Sequence, residues 1–196
     1  VPTQSQSACM EAAKEVTSFS EDNIEIITMM MGGSFGRKQT KDYVIQAASI
    51  SKHIGKPVQV VWTREEDTKH GFYRPLSISR FQVGLNNEGK PLQWESQVSQ
   101  PNLLAQFVPS MGWLNFDPMT IPAAVHDYPL IPKHFYEIDG VNVTHSPVIF
   151  DVPIGPWRAP PNSINVFYTE SVMDELSHLA GIDPLIYRLK SNLQVS

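Results

Sequence analysis

Residues 23–38 read Asn23-Ile24-Glu25-Ile26-Ile27-Thr28-Met29-Met30-Met31-Gly32-Gly33-Ser34-Phe35-Gly36-Arg37-Lys38, and this stretch decides the fold class. Its first nine residues are mostly apolar, with β-branched Ile24, Ile26, Ile27 and Thr28, which predicts a buried strand. A helix is predicted from about Thr40 to Ile54, with Tyr43, Val44, Ala47, Ala48, Ser51 and Ile54 on one side. Gly55 and Pro57 end it as a C′ glycine and a following proline should. Between the two lies a loop with three glycines, which permit positive φ and close approach of the backbone to a ligand. After a strand and before a helix, successive N–H groups of such a loop can face an anion. The spacing matches neither GxGxxG nor GxxxxGK[ST], so a standard dinucleotide or NTP site is not indicated. A purely structural turn and an anion-facing loop both stay open on spacing alone. Phe35 favours the second, because an aromatic within the loop needs a surface to pack on.

Outward from this unit, Ser5 or Ser7 opens a helix over residues 5–17 with a weak apolar face of Ala8, Ala12, Ala13 and Val16. Val58–Trp62 reads as a second buried strand, and Thr63 to Asp67 can cap a short helix. Ser79, Phe81, Val83 and Leu85 alternate with polar or small residues, Asn86 to Gly89 turns the chain, and Leu92, Trp94, Ser96 and Val98 alternate again. Residues 77–99 are therefore a predicted β-hairpin. Asn162 or Ser163 caps a helix to Ala180 with Val166, Met173, Leu176 and Ala180 facing the core; Gly181 closes it. Asp183 and Pro184 then open a short helix as N-cap and N1. Of the 16 prolines, 11 lie between Pro101 and Pro161, among large apolar residues without periodicity. That predicts a long irregular segment wrapping another surface. The fold class is α+β, with mixed strands and helices and no internal repeat.

At 196 residues the chain has room for one domain or two small ones. Its 15 Lys and Arg against 20 Asp and Glu leave a net charge of −5, which argues against binding nucleic acid through phosphates. No run approaches the roughly 20 apolar residues that span a bilayer. Cys9 is the only cysteine, which excludes disulfides and cysteine-based clusters within the chain; it reads as a small buried hydrophobe. The six histidines form no helical pair at i,i+4 and no HExxH, so no residue here is expected to ligate a metal directly. A GxSxG elbow is absent, since Gly33-Ser34-Phe35-Gly36 is one residue too short. Val1-Pro2-Thr3-Gln4 reads as the middle of a longer chain and carries no targeting signal. The other unusual element is Gly155-Pro156-Trp157-Arg158-Ala159-Pro160-Pro161 before a helix start. It is either a rigid loop with a salt-bridged arginine or a second site loop.

Five landmarks occur in order: Pro2-Thr3-Gln4, M-G-G-S-F-G-R-K at 31–38, V-W-T-R-E-E-D at 61–67, G-P-W-R-A-P at 155–160 and E-S-V-M-D-E-L at 170–176. This succession closely resembles the molybdenum hydroxylases, the superfamily of xanthine dehydrogenase and aldehyde oxidase, in their large molybdopterin-binding subunit. Within it, the nearest resemblance is to the beta chain of the isoquinoline 1-oxidoreductase branch. The resemblance implies that residues 1–196 are an excised part of a molybdopterin-binding domain of the aldehyde oxidase/xanthine dehydrogenase type.

By that resemblance Gln4 matches a glutamine that hydrogen-bonds an oxygen ligand of molybdenum. Gly32, Gly33, Ser34, Phe35 and Gly36 match the loop whose amides face the cofactor, and Arg158 matches an arginine of the second loop. Gln39, Trp157 and Pro160 fall at the substrate pocket. Gln39 stands where xanthine-oxidising members have a glutamate, and Pro160 where they have an aromatic, so an N-heteroaromatic or aldehyde substrate is expected. Ser34 replaces the usual glycine. The glutamate base of the family is expected downstream, so no catalytic residue is assigned in this chain. The implied cofactor is molybdopterin cytosine dinucleotide with molybdenum, and the implied partner is a small iron–sulfur subunit with two 2Fe-2S clusters. Relatives in this branch often act in the bacterial periplasm, which is favoured over the cytoplasm. The chain alone is expected to be inactive and to self-associate through faces meant for missing parts. The rival reading is a non-catalytic ligand- or partner-binding module on the same scaffold.

Overall fold

The computed structural model describes residues 1–107, 117, 136, 138–160 and 162–191. The chain divides into two compact units, Val1–Arg74 with Val152–Arg158, and Pro75–Asp151 with Ala159–Ser196. In the first unit, helix α1 (Gln6–Thr17) begins where Ser5 Oγ accepts from Ala8 N at 3.3 Å, answering one of the unpaired N–H groups of a helix start. Helix α2 (Asp42–Ile54) ends at Gly55, whose φ of 65° is the left-handed conformation that glycine adopts freely. Cys9, Ala12 and Ala13 are buried where α1 packs on α2, and small side chains there let the helices approach closely. Cys9 is thus the small buried residue expected, with Sγ 3.1 Å from Thr3 Oγ1. Helix α3 (Arg64–His70) is capped by Thr63, whose Oγ1 accepts from Glu66 N.

The two buried strands expected in this unit are not formed. Glu21–Asn23 makes a 3₁₀ turn, and residues 24–31 then run outside any ladder, with Ile27 60% and Met30 99% exposed. Residues 58–62 likewise join no ladder, and Val61 is 77% exposed. Apolar, β-branched composition expresses a need for cover, but a strand also needs a neighbouring backbone, which composition does not supply. Among the described residues, apart from the turn bond of Ile24 N to Glu21 O, only the backbone of Val1 pairs with the first run, its carbonyl accepting from Met29 N at 3.0 Å and its ammonium donating to Ile27 O at 2.7 Å. A parallel bridge does join Tyr73 to Ile154: Tyr73 N donates to Pro153 O and Gly155 N to Tyr73 O, both at 2.9 Å.

The second unit is a two-layer α+β arrangement. Strands β1 (Ile78–Leu85) and β2 (Pro91–Gln100) form the predicted antiparallel hairpin, in register from Ile78 opposite Ser99 to Gly84 opposite Gln93, with a bulge before Leu85. Asn86 Oδ1 accepts from Glu88 N and Lys90 N, and Gly89 turns with φ of 80°. A short helix α4 (Leu103–Phe107) follows, its first amides held by the buried Asp117 carboxylate. Strand β3 (Gly140–Pro147) then lies parallel to β2, so the sheet order is β1-β2-β3. Both α4 and β3 correct the expectation of an irregular segment from Pro101 to Pro161; Val141 and Val143 alternating with Asn142 and Thr144 were the available signal. Residues 108–116, 118–135, 137 and 161 of that segment lie outside the described residues.

Helices α5 (Asn162–Leu179) and α6 (Pro184–Ser191) pack with one face of this sheet around a core of Trp94, Tyr136, Val172, Met173, Leu176 and Tyr187. Phe81 meets Trp94 edge to face at 5.5 Å. The inward face of α5 is Asn165, Thr169, Val172, Met173, Leu176 and Ser177, while Val166 is 49% exposed, one position off the expected stripe. Three polar residues at core positions, Asn165, Thr169 and Ser177, concealed the true face from a reading of apolar spacing. As expected, Asp183 Oδ1 caps α6, accepting from Leu185 N and Ile186 N. Arg188 of α6 ties back to α5 through Glu170 at 2.8 Å and Asp174 at 2.7 Å.

Candidate functional site

Three segments distant in sequence converge within the first unit: residues 2–4, the loop at 32–38 and residues 155–158. Gln4 joins the first two. Its Oε1 accepts the N–H of Gly36 and of Lys38, each at 3.2 Å, and its own N–H donates to Lys38 O at 3.0 Å. Two backbone donors can be answered only by the amide oxygen, so the Gln4 NH₂ group points away from the loop. Among the described residues that NH₂ has no partner. Lys38 O also receives the hydroxyl of Tyr43 at 3.2 Å, and burial pushes the Tyr43 phenol up to about 12.

Positive φ shapes the loop. Gly33 has φ of 116°, Gly36 of 102° and, without being glycine, Phe35 of 50°. A non-glycine residue there is strained unless its surroundings hold it. Gly36 lies against residues 156–157, and a Cβ added to it would stand 2.2 Å from Pro156 O. Trp157 Nε1 donates to Phe72 O at 3.0 Å, and Arg158 O accepts from Arg74. The Arg158 guanidinium lies 5.7 Å from the Phe35 ring centre.

Beneath the loop Arg37 is held on several sides. It donates to both carboxylate oxygens of Asp42, at 2.9 and 2.8 Å, and to Thr40, and its Nε lies 3.5 Å from Asp67 Oδ1. Its guanidinium lies 5.7 Å from the Trp62 ring centre and 5.2 Å from that of Phe72. Burial alone would raise the Asp42 carboxyl, but hydrogen bonds from Arg37 and Thr40 outweigh it and hold the group below the usual carboxylate range.

The structure therefore brings together Gln4, Gly32 to Gly36, Trp157 and Arg158. Gln39 is exposed in the 3₁₀ turn that follows, with its N–H on Gly36 O. Pro160 belongs to the second unit, where Ser163 N donates to Ala159 O. An open cleft of about 700 Å³ borders the loop, lined by Pro2, Gly33, Phe35, Val61, Trp62 and Trp157 among others. Sequence reasoning did not assign Trp62, Phe72 and Tyr43 to this neighbourhood; Trp62 lies in the V-W-T-R-E-E-D landmark, and that was the usable signal.

The groups presented here are donors and a cation. The N–H groups of Gly33, Ser34 and Phe35 have no partner among the described residues. A Cβ on Gly32 would meet nothing within 4 Å, so packing within the chain does not require glycine there, while close approach of a bound group to the backbone would. Outward NH₂, free amides and Arg158 fit an anionic, oxygen-rich group held against backbone.

A family profile described as the molybdopterin cofactor-binding domain matches residues 1–192. One of the subunits of nicotinate dehydrogenase from Pseudomonas putida is 30% identical over 171 residues, covering 87% of this chain and 14% of that protein. The beta chain of isoquinoline 1-oxidoreductase from Brevundimonas diminuta is 25% identical over 195 residues, covering 90% and 22%. Among solved structures, quinoline 2-oxidoreductase from Pseudomonas putida 86 aligns with a TM-score of 0.77 at 18% identity, over 98% of this chain and 24% of that one. The aldehyde oxidoreductase of Desulfovibrio gigas aligns at 0.77 and 20% identity, over 95% and 19%. The chain thus spans less than a quarter of the length of these relatives. The fold is that of molybdopterin-binding domains of the aldehyde oxidoreductase type. The chain belongs to the molybdopterin cofactor-binding domain family, within the molybdenum hydroxylases.

Proposed function

We propose that this chain forms one wall of the molybdopterin site in a longer bacterial oxidoreductase that hydroxylates an N-heteroaromatic or aldehyde substrate. The observation that carries this is the orientation of Gln4: the loop consumes its oxygen and leaves its NH₂ outward, beside the free amides of Gly33, Ser34 and Phe35. When bound, the cofactor supplies a molybdenum centre that takes two electrons from a substrate carbon as water-derived oxygen is added to it. Gln4 donates to the group bound there without adding charge, and the loop amides orient it at close range. Arg158 adds positive charge, and Trp157 with Gln39 contributes to the substrate pocket. A partner protein with two 2Fe-2S clusters would take up the electrons. The cytosine dinucleotide form of the cofactor is the one proposed, in keeping with the bacterial relatives.

The test is metal and nucleotide analysis of the longer protein purified with its iron–sulfur partner. Molybdenum near one per chain, with CMP released by acid, is expected. Absence of both, with the iron–sulfur partner loaded, would overturn the enzyme reading and favour a binding module.

A further inference from the structure

The landmark V-W-T-R-E-E-D at 61–67 has no role in the function proposed above, and the structure gives it one. Arg37 follows Gly36 directly, so whatever fixes Arg37 also fixes the carboxyl end of the glycine loop. Gln4 holds that loop from one side through Gly36 N and Lys38 N. From the other side the guanidinium is held by Asp42, by the faces of Trp62 and Phe72, and by Asp67 at the edge. Trp62 is itself held, its Nε1 donating to Gln46 Oε1 of α2 at 3.0 Å. The Arg37 and Asp42 side chains are largely shielded from solvent, 18% and 24% exposed, which keeps a bidentate pair and ring contacts of this kind from being screened away.

We propose that Trp62 and Asp67 are positioning residues which act through Arg37 to hold Phe35 and Gly36 in their left-handed conformations, so that the loop amides stay ordered for the group they bind. The inference rests on the functional reading above only for the identity of that group. The landmark is then a clamp on the loop, and its exposed Arg64, Glu65 and Glu66 have no part in it.

The experiment compares four variants of the longer protein: Arg37→Lys, Asp67→Asn, Trp62→Phe and Trp62→Leu. Hydrogen exchange at the bonded amides of Gly36, Arg37 and Lys38 is read alongside molybdopterin and molybdenum content per chain, with Tm as control. Trp62→Phe keeps an aromatic face and Trp62→Leu keeps only apolar volume, so the first should rescue what the second loses. Loss of the ring contact should speed loop exchange by about fivefold, as expected for a contact of this strength, and lower cofactor content in parallel. Exchange in the β1–β2 hairpin should stay unchanged. If Trp62→Leu and Arg37→Lys leave loop exchange as in the parent, the clamp is wrong, whatever the cofactor content. If the unmutated protein holds no molybdopterin while loop exchange still responds, the functional reading fails and the clamp stands.

Discussion

Gln4 and Gly36, 32 positions apart, are joined by a 3.2 Å hydrogen bond from the glycine amide to the glutamine Oε1, and the same oxygen also accepts from Lys38. One side chain therefore orders the loop with its oxygen and presents a donor with its nitrogen. The two tasks separate by substitution. Gln4→Glu retains an acceptor for both amides but loses the NH₂ and adds negative charge. Its Tm should stay within about 3 °C of the parent, while molybdopterin content falls at least about tenfold, the equivalent of one charge-assisted contact. Gln4→Leu removes the acceptor too and should cost about 1–3 kcal/mol, since two loop amides lose their partner. Thermal denaturation with cofactor analysis reads both; a Gln4→Glu protein with full cofactor content would contradict the donor role.

Gly32 and Gly36 make a second separable pair. A Cβ on Gly36 would collide with Pro156 O at 2.2 Å, in backbone with φ of 102°. Gly36→Ala should destabilise by about 3 kcal/mol or more, through strain and displacement of residues 156–158. Gly32→Ala meets nothing within 4 Å and should leave stability within about 0.5 kcal/mol. If a bound group approaches that backbone closely, Gly32→Ala should still lower cofactor content. Urea denaturation of both variants, with pterin analysis, gives the comparison.

Much of this was legible in the sequence, for physical reasons that differ between elements. Helix ends and the hairpin are local: Ser5, Thr63, Gly55, Asp183 and the Asn86–Gly89 turn act on their immediate neighbours, and each appears where its chemistry requires. The site residues were visible only through the ordered landmarks, because no periodicity links Gln4 to Gly36. Residues 24–31 and 58–62 misled because their composition reports a preference for burial, while ladder formation depends on another segment. The inward face of α5 misled in the opposite way, since Asn165 and Thr169 are polar yet buried. Arg37 stands out in the sequence only as part of a loop, because its partners Trp62 and Phe72 lie 25 and 35 positions away.

The E-S-V-M-D-E-L landmark joins helices. The Tyr136 hydroxyl lies 2.9 and 3.0 Å from the two Glu170 oxygens, and Glu170 also receives Arg188 Nε. Burial, and then the hydrogen bond to Glu170, push the Tyr136 phenol up to about 12 from 10.0. A group whose pKa is raised on folding contributes stability that is fully present below its unfolded value and is lost as pH rises through its folded value. The second unit should therefore lose stability between pH 10 and about 12. Ultraviolet titration of tyrosinate should show a late-titrating group that Tyr136→Phe removes. Glu170→Gln should lower that pKa and cost about 1–3 kcal/mol by removing the negative charge that pairs with Arg188. Titration of Tyr136 near 10 would show that the Glu170 contact is not formed.

Ile27, Met29, Met30 and Val61 expose apolar surface on backbone that belongs to no ladder, the combination that favours intermolecular pairing. The 196-residue chain on its own should self-associate, with a sedimentation coefficient that rises with concentration. Placing charge on the exposed run opposes association without touching the core, because Met30 is 99% exposed. Met30→Lys with Val61→Lys should weaken association by about tenfold or more, as gatekeeper charges do on unpaired strands, with Tm nearly unchanged. Sedimentation velocity distinguishes the outcomes. A concentration-independent monomer in the parent chain would mean that these runs are covered in solution, and association unchanged by the two lysines would place the contact on another face.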